Sequence, residues 1–342
     1  MIRTPERVGH RSPLQQPGAG PTKETSMRII ETSETLDAST RGCILTVGNF
    51  DGLHVGHQAL LDAVVERGQA LGRPTALYTF EPHPRRVLYP DSSPPCLMSG
   101  EQLVAGVREA GIDIMIREHF TLEFASLSPE VFLREILARR VAPLEIFVGR
   151  DFHFGKGRRG SGDTLERAAP EFGIRVEIIP QVRVGEEDVS SSRIRGLLNE
   201  GRVEAAIACL GRPYTVWGTV IEGAGRGREL GFPTANLDPD NELIPQPGVY
   251  ATRARLFTQD RPSAPSLPSV TNIGTRPTFD SDRIVTEVHL IDFSDDLYGR
   301  RLELCFHARI RSERRFPGAE ALARQIAEDV ERARQLLGPA QA

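Results

Sequence analysis

The chain has 342 residues, enough for two cores. With 39% apolar and 26% charged residues, it is not a disordered polymer. A formal net charge of −4 argues against a general nucleic-acid binder, which is usually basic, so an anionic substrate must be held by local positive charge.

The four cysteines, Cys43, Cys96, Cys209 and Cys305, include no Cys-x-x-Cys pair. That spacing suits neither zinc nor a disulfide framework and points to a reducing, cytoplasmic setting. No run approaches the ~18 apolar residues of a membrane span. Residues 1–26 are polar and broken by Pro5, Pro13, Pro17 and Pro21. They have no apolar run of the kind a signal peptide needs and are expected to form a disordered tail. Met27 opens the first ordered-looking segment and is a candidate natural start.

From residue 43 strands and helices alternate. The strand-like "CILTVGNF" is followed by "HQALLDAVVERGQAL", with apolar residues at helical spacing. "TALYTF" reads as a strand, and Ser99 with Gln102 forms a capping box before "LVAGVREA". "IDIMI" is the next strand; Ser128 and Pro129 open the helix "EVFLREIL". "EIFVG" and "RVEIIPQV" complete the series, which predicts an α/β domain built on a parallel sheet.

Near Gly211-Arg212-Pro213 the pattern changes. "YTVWGTVIE", "GVYATRARLF", "IVTEVHLIDF" and "LELCFHARI" have period-two character with turns between them, which predicts an antiparallel β-barrel. A final helix carries Leu322, Ile326, Val330 and Ala333 on one stripe. The expected organisation is a tail over 1–26, an α/β domain over 27–211 and a barrel domain over 212–342.

The sharpest motif runs Gly48-Asn49-Phe50-Asp51-Gly52-Leu53-His54-Val55-Gly56-His57, after a strand and at a helix start. Glycines allow close approach to a phosphate, and the helix N-terminus offers free N–H groups and positive potential. His54 and His57, three apart, can both aim at one anion. A nucleotidyl transfer needs no protein nucleophile; it needs the α-phosphate positioned and the leaving pyrophosphate stabilised. Ser191, Ser192 and Arg195 of "SSSRIR" can cap a second helix and grip phosphates. Lys156, Arg158 and Arg159 form a basic glycine-rich loop, suited either to closing over an anion or to plain solvation.

The second half has Gly223, Gly225, Arg226 and Gly227, then Phe232-Pro233-Thr234-Ala235-Asn236. It is neither a Walker A loop nor a dinucleotide fingerprint. A glycine-arginine loop between strands can still wrap phosphates with backbone N–H groups. Thr234 and Asn236 supply neutral oxygens suited to a Mg²⁺ that keeps its waters and phosphate ligands.

These strings carry a resemblance. His-x-Gly-His at His54–His57 resembles the nucleotidylyltransferase superfamily. With "TFEPHPRRVL", "VGRDFHFGKGRRG", "LGFPTAN" and "NIGTRPTF", the chain from Met27 to about Leu337 resembles the bacterial bifunctional riboflavin kinase/FAD synthetase family.

The resemblance implies a Rossmann-like nucleotidylyltransferase domain followed by a riboflavin kinase barrel with a C-terminal helix. It implies ATP, riboflavin and FMN as substrates, FAD as a product, Mg²⁺ with ATP, and neither nucleic acid nor membrane; no obligatory protein partner is inferred. Glu287 falls where the family has its catalytic base. Asp151 and Phe154 fall in the family's flavin- and nucleotide-lining segment and His83 in its element after the second strand; all three are flavin-side candidates, and whether His83 and Asp151 meet adenine, flavin phosphate or metal stays open. Ala224 stands where relatives often carry a polar residue. Two rival readings are an adenylyltransferase for another phosphate compound, disfavoured by "LGFPTAN" and Glu287, and a non-catalytic flavin-binding barrel, disfavoured by the intact His-x-Gly-His.

Overall fold

The computed structural model describes residues 27–223, 227, 230–263, 265–277 and 282–338. The expected tail over 1–26, and Ala224, Gly225 and Arg226 of the glycine-arginine loop, lie outside the described residues.

The first half is a six-stranded sheet. Its strands are β1 (Arg28–Ile30), β2 (Ile44–Val47), β3 (Thr75–Glu81), β4 (Ile114–His119), β5 (Glu145–Gly149) and β6 (Arg175–Ile179), in the order β1-β4-β3-β2-β5-β6. Every pairing is parallel. Strand β2 is buried at all four positions, because helices cover both faces of the sheet. On one face Ile44, Leu77, Met115 and Phe147 pack with Leu60, Leu61 and Val64 of α1 (Val55–Leu71) and Val107 of α2 (Gly100–Glu109). On the other, Leu45, Val47, Ala76, Tyr78 and Ile146 meet Phe132, Leu133 and Ile136 of α3 (Pro129–Val131, continued as a π-helix over Phe132–Val141).

The chain proceeds from β2 outward through β3 to β4, then returns to place β5 on the other side of β2. Ligands of open α/β sheets bind beyond the strand C-termini at such a reversal. The segments that follow β2 and β5 are those carrying His54 and Asp151. Local signals explain the helix starts: Ser99 and Gln102 form the expected capping box, and Ser128 caps α3 with Pro129 in its first turn.

The second half is a closed antiparallel barrel of six strands. These are β7 (Tyr214–Ile221), β8 (Ala235–Pro239), β9 (Gly248–Thr258), β10 (Leu267–Pro277), β11 (Asp282–Leu290) and β12 (Arg301–Arg311). The order β9-β10-β11-β8-β7-β12 closes when β12 pairs with β9, which removes the sheet edges. The helix α4 (Ala319–Leu337) lies outside the barrel, with Ala333 buried against Val249, Ala251 and Ala308 and with Val330 beside it. Its stripe also contains a carboxylate that apolar patterning does not show: Asp329 is buried and accepts from Arg311 Nε and Nη2, the latter at 2.7 Å.

Two helices link the halves, α5 (Ser191–Asn199) and α6 (Val203–Leu210). Their Ile194, Leu197, Leu198, Val203, Ala206 and Leu210 share one core with Tyr214, Val216, Tyr250, Leu304 and Phe306 of the barrel. The change of pattern at residue 211 is therefore a change of element type rather than a gap in packing.

Candidate active sites

The first site grows from the end of β2. His54 is the N-cap of α1: its Nδ1 accepts from the His57 backbone N–H at 3.3 Å. The two imidazoles stack with centroids 3.7 Å apart and planes 14° from parallel, and Phe50 packs tilted against His57 with centroids 4.9 Å apart. Burial pushes the His54 imidazole down to about 4, with Asp151 pulling the other way. Burial and the neighbouring His54 hold His57 well below the usual range. Both rings are thus neutral at pH 7, able to donate one N–H each without bringing a charge. The Nδ1 of His57 is buried with no hydrogen-bond partner among the described residues.

The loop before His54 is fixed from below. Asp51 is buried; it ion-pairs with Arg195 Nη2 and accepts from the Leu97 N–H at 2.8 Å. Arg195 Nε donates to Pro95 O at 2.7 Å. Arg195, expected to grip phosphate, spends two donors on this scaffold. The cap of α5 is Ser190, whose hydroxyl accepts from the Arg193 N–H, one residue before the expected Ser191. Ser191 Oγ instead donates to the Asp51 carbonyl at 2.8 Å, and Ser192 is exposed. The helix start therefore presents the exposed Ser192.

Gly52 has φ of 91°, and a Cβ there would stand 2.7 Å from the Leu97 side chain, so only glycine fits. Gly56 lies against the His54 ring, 3.3 Å from an added Cβ. Gly48 is half-buried, Asn49 is exposed, and Asn49, Asp51, His83, Arg86, Cys96 and Glu242 line a cavity of about 110 Å³. His83 caps the short helix Pro84–Leu88, accepting from the Arg85 N–H. Burial first, then Arg195, Arg85 and Arg86, push it down to about 4.

Asp151 is exposed at the end of β5, close enough to His54 to act on its charge. Phe154 is buried in an aromatic row, stacked on Phe152 at 5.5 Å and tilted against Phe132 at 5.6 Å. Lys156, Arg158 and Arg159 are exposed on a loop with left-handed Gly155 and Gly157. A larger groove, about 760 Å³ beside Glu118, Phe124 and Arg140, is lined by none of the motif residues.

The second site lies on the barrel. Glu287 on β11 is in register with Asn236 on β8 and with Asn272 on β10. Residues directly opposite in antiparallel strands share a face, so the carboxylate stands between two amides. Asn236 is buried. A Cβ on Gly223 would lie 1.8 Å from Asn236 Nδ2, and one on Gly227 would lie 2.9 Å from Thr234 Oγ1. The glycines thus bring the loop backbone hard against the two residues expected to hold a metal. A hydroxyl, an amide oxygen and a carboxylate nearby form a hard-oxygen set that fits Mg²⁺ carrying its own phosphate ligands. Phe232 packs edge-on to His289, whose Nδ1 lies 2.8 Å from the exposed Pro233's carbonyl oxygen. Gly225 and Arg226 lie outside the described residues.

Sequence reasoning missed residues that join the halves. Arg212 Nη2 donates to Gly52 O at 3.1 Å, and Gln58 Nε2 donates to both Leu53 O and Leu210 O at 2.7 Å. Glu242 of the barrel half accepts from the Cys96 N–H and pairs with Arg86. Gly-Arg-Pro at 211–213 was visible as punctuation, but nothing in the string shows what Arg212 reaches.

Two family models match this chain: FAD synthetase over residues 36–193 and riboflavin kinase over 210–337. A bifunctional riboflavin kinase/FMN adenylyltransferase of Pseudomonas fluorescens is 38% identical over 314 residues, covering 92% of this chain and 99% of that protein. The protein of the same name from Escherichia coli K12 is 36% identical, covering 91% and 98%. A solved Streptococcus pneumoniae protein named for macrolide efflux superposes with a TM-score of 0.80 at 26% identity, covering 90% of this chain and 98% of that one. Among the described residues of this chain, no helix is long and apolar enough to cross a membrane.

Proposed function

The chain belongs to the bifunctional riboflavin kinase/FMN adenylyltransferase family, and from that premise we propose how its residues divide the work. It is an enzyme with two activities, phosphorylating riboflavin to FMN and adenylylating FMN to FAD. The first belongs to the barrel module, residues 212–342, and the second to the α/β module, residues 27–211. The observation that carries the reading is that the two matched families lie end to end in one chain.

In the kinase step Glu287 is the catalytic base. It orients the terminal ribityl hydroxyl of riboflavin and accepts its proton as the oxygen attacks the γ-phosphorus of ATP and ADP leaves. Its place between Asn236 and Asn272 supports this role, since two amides can fix the carboxylate and the hydroxyl together. Thr234 and Asn236 would hold Mg²⁺, which when bound neutralises phosphate charge. Gly223, Gly225, Arg226 and Gly227 wrap the phosphates, and Phe232 and Pro233 lie beside the nucleotide.

In the adenylyltransferase step an oxygen of the FMN phosphate attacks the α-phosphorus of a second ATP, and the bond to the departing pyrophosphate breaks. His54 and His57 donate hydrogen bonds to the phosphoryl oxygens, where the negative charge shifts. Gly48, Asn49, Phe50, Gly52 and Gly56 shape the loop, and Ser191, Ser192 and the start of α5 face the triphosphate. Arg195, already tied to Asp51 and Pro95, supplies positive potential from beneath instead of a fork. His83 and Asp151 are assigned to the FMN side, with Phe154 backing the flavin surface.

Chromatography of products from riboflavin and MgATP tests the reading. FMN should appear first and FAD later, with ADP and pyrophosphate. FMN alone, or no turnover, would refute it.

A further inference from the structure

Three consecutive carbonyls of the first motif are each taken by a different side chain. Asp51 O accepts from Ser191 Oγ at 2.8 Å, Gly52 O from Arg212 Nη2 at 3.1 Å and Leu53 O from Gln58 Nε2 at 2.7 Å. The corner they hold is unusual. Gly52 has φ of 91° and Leu53, which has a side chain, has φ of 44°. A leucine stays in the left-handed region only where its surroundings leave it no alternative. Here Leu53 is buried, and a Cβ on Gly106 of α2 would stand 2.4 Å from its Cδ1. His54 follows directly, so the corner sets where its ring begins.

Two of the three donors converge on the connection between the modules. Arg212 lies on it, and Gln58 Nε2 spans from Leu53 O to Leu210 O. Gly211 has φ of 71°, and an added Cβ would stand 3.0 Å from Val55 Cγ1. The connection is therefore seated on the back of the histidine loop. We propose that Arg212 is a positioning residue for adenylyl transfer: by holding the Gly52 carbonyl it fixes the left-handed corner that aims His54 and His57. The inference rests on the adenylyltransferase assignment above and extends it, because the connection to the barrel then becomes part of the first site's scaffold. Arg212 is half-buried, and its partial desolvation lowers the guanidinium below the usual range.

The test uses the full-length enzyme and follows FAD formation from FMN and MgATP alongside FMN formation from riboflavin and MgATP. For Arg212→Ala, kcat for FAD formation should fall roughly 10- to 100-fold, the range a small misplacement of reacting groups produces. KM for ATP should stay close to that of the parent, and FMN formation should be unchanged. Added methylguanidinium should restore part of the lost kcat. Gln58→Leu should show the same selective loss and carries the test if Arg212→Ala does not fold. A parallel fall of both activities, a change confined to KM, or no change would overturn the proposal. A parent enzyme that makes no FAD from FMN would instead refute the adenylyltransferase assignment.

Discussion

His54 and His57 stack face to face, 3.7 Å between ring centroids. Two imidazolium ions could not share that arrangement without strong repulsion. Burial keeps His54 down at about 4 and His57 well below its usual range, so the free enzyme holds a neutral pair. In the unfolded chain both titrate near ~6.5. The unfolded state therefore binds more protons as pH falls below ~6.5, and stability drops toward pH 4. His83, also pushed down to about 4, acts in the same direction.

The melting temperature should accordingly decline from pH 7 to pH 5, and His54→Gln should make that decline shallower. An identical pH slope in the variant would show that His54 is not held neutral by folding.

The glycine at position 223 gives a steric prediction. An added Cβ would fall 1.8 Å from Asn236 Nδ2, so the loop must retreat or Asn236 must turn away. Gly223→Ala should lower kcat/KM for FMN formation by about tenfold or more, because the displaced amide is one of the proposed metal-binding groups, worth about 1.4 kcal/mol or more in the transition state. FAD formation from supplied FMN should be unaffected. Normal kinase activity in the variant would remove Asn236 from the nucleotide site.

Separating the modules gives a third prediction. A fragment beginning at residue 212 leaves behind α5 and α6, whose Leu197, Leu198, Val203 and Leu210 belong to the barrel's core. Losing a single buried leucine side chain commonly costs about 2–5 kcal/mol. A fragment beginning at residue 190 should therefore melt several degrees higher than one beginning at 212. Equal melting temperatures would mean the helices do not support the barrel.

Much of this architecture was legible in the sequence because local signals agreed with the tertiary structure. Ser99 with Gln102, and Ser128 with Pro129, mark helix starts by hydrogen-bonding rules that need no distant partner. The strand-helix alternation dictated a parallel sheet, and the switch at residue 211 dictated a barrel. Long-range side-chain pairings were not legible. Arg195 reads as a phosphate ligand, yet 144 positions separate it from Asp51, the carboxylate it pairs with. Asp329 interrupts the apolar stripe of the last helix, and only the fold brings Arg311 to it. Arg212 reads as a domain boundary because a string cannot show that its guanidinium reaches the Gly52 carbonyl.

The central claim is that two chemically independent sites act in sequence, and exchanging the substrate supplied to Glu287→Gln tests it most directly. The substitution keeps the side chain's shape and removes the proton acceptor. With riboflavin and MgATP the variant should form neither FMN nor FAD; with FMN and MgATP it should make FAD at close to the parent rate. His57→Ala should do the reverse, accumulating FMN from riboflavin, since one lost transition-state donor costs about 10²–10³ in rate. A folded Glu287→Gln enzyme that still phosphorylates riboflavin, or that fails to adenylylate FMN, would contradict the account.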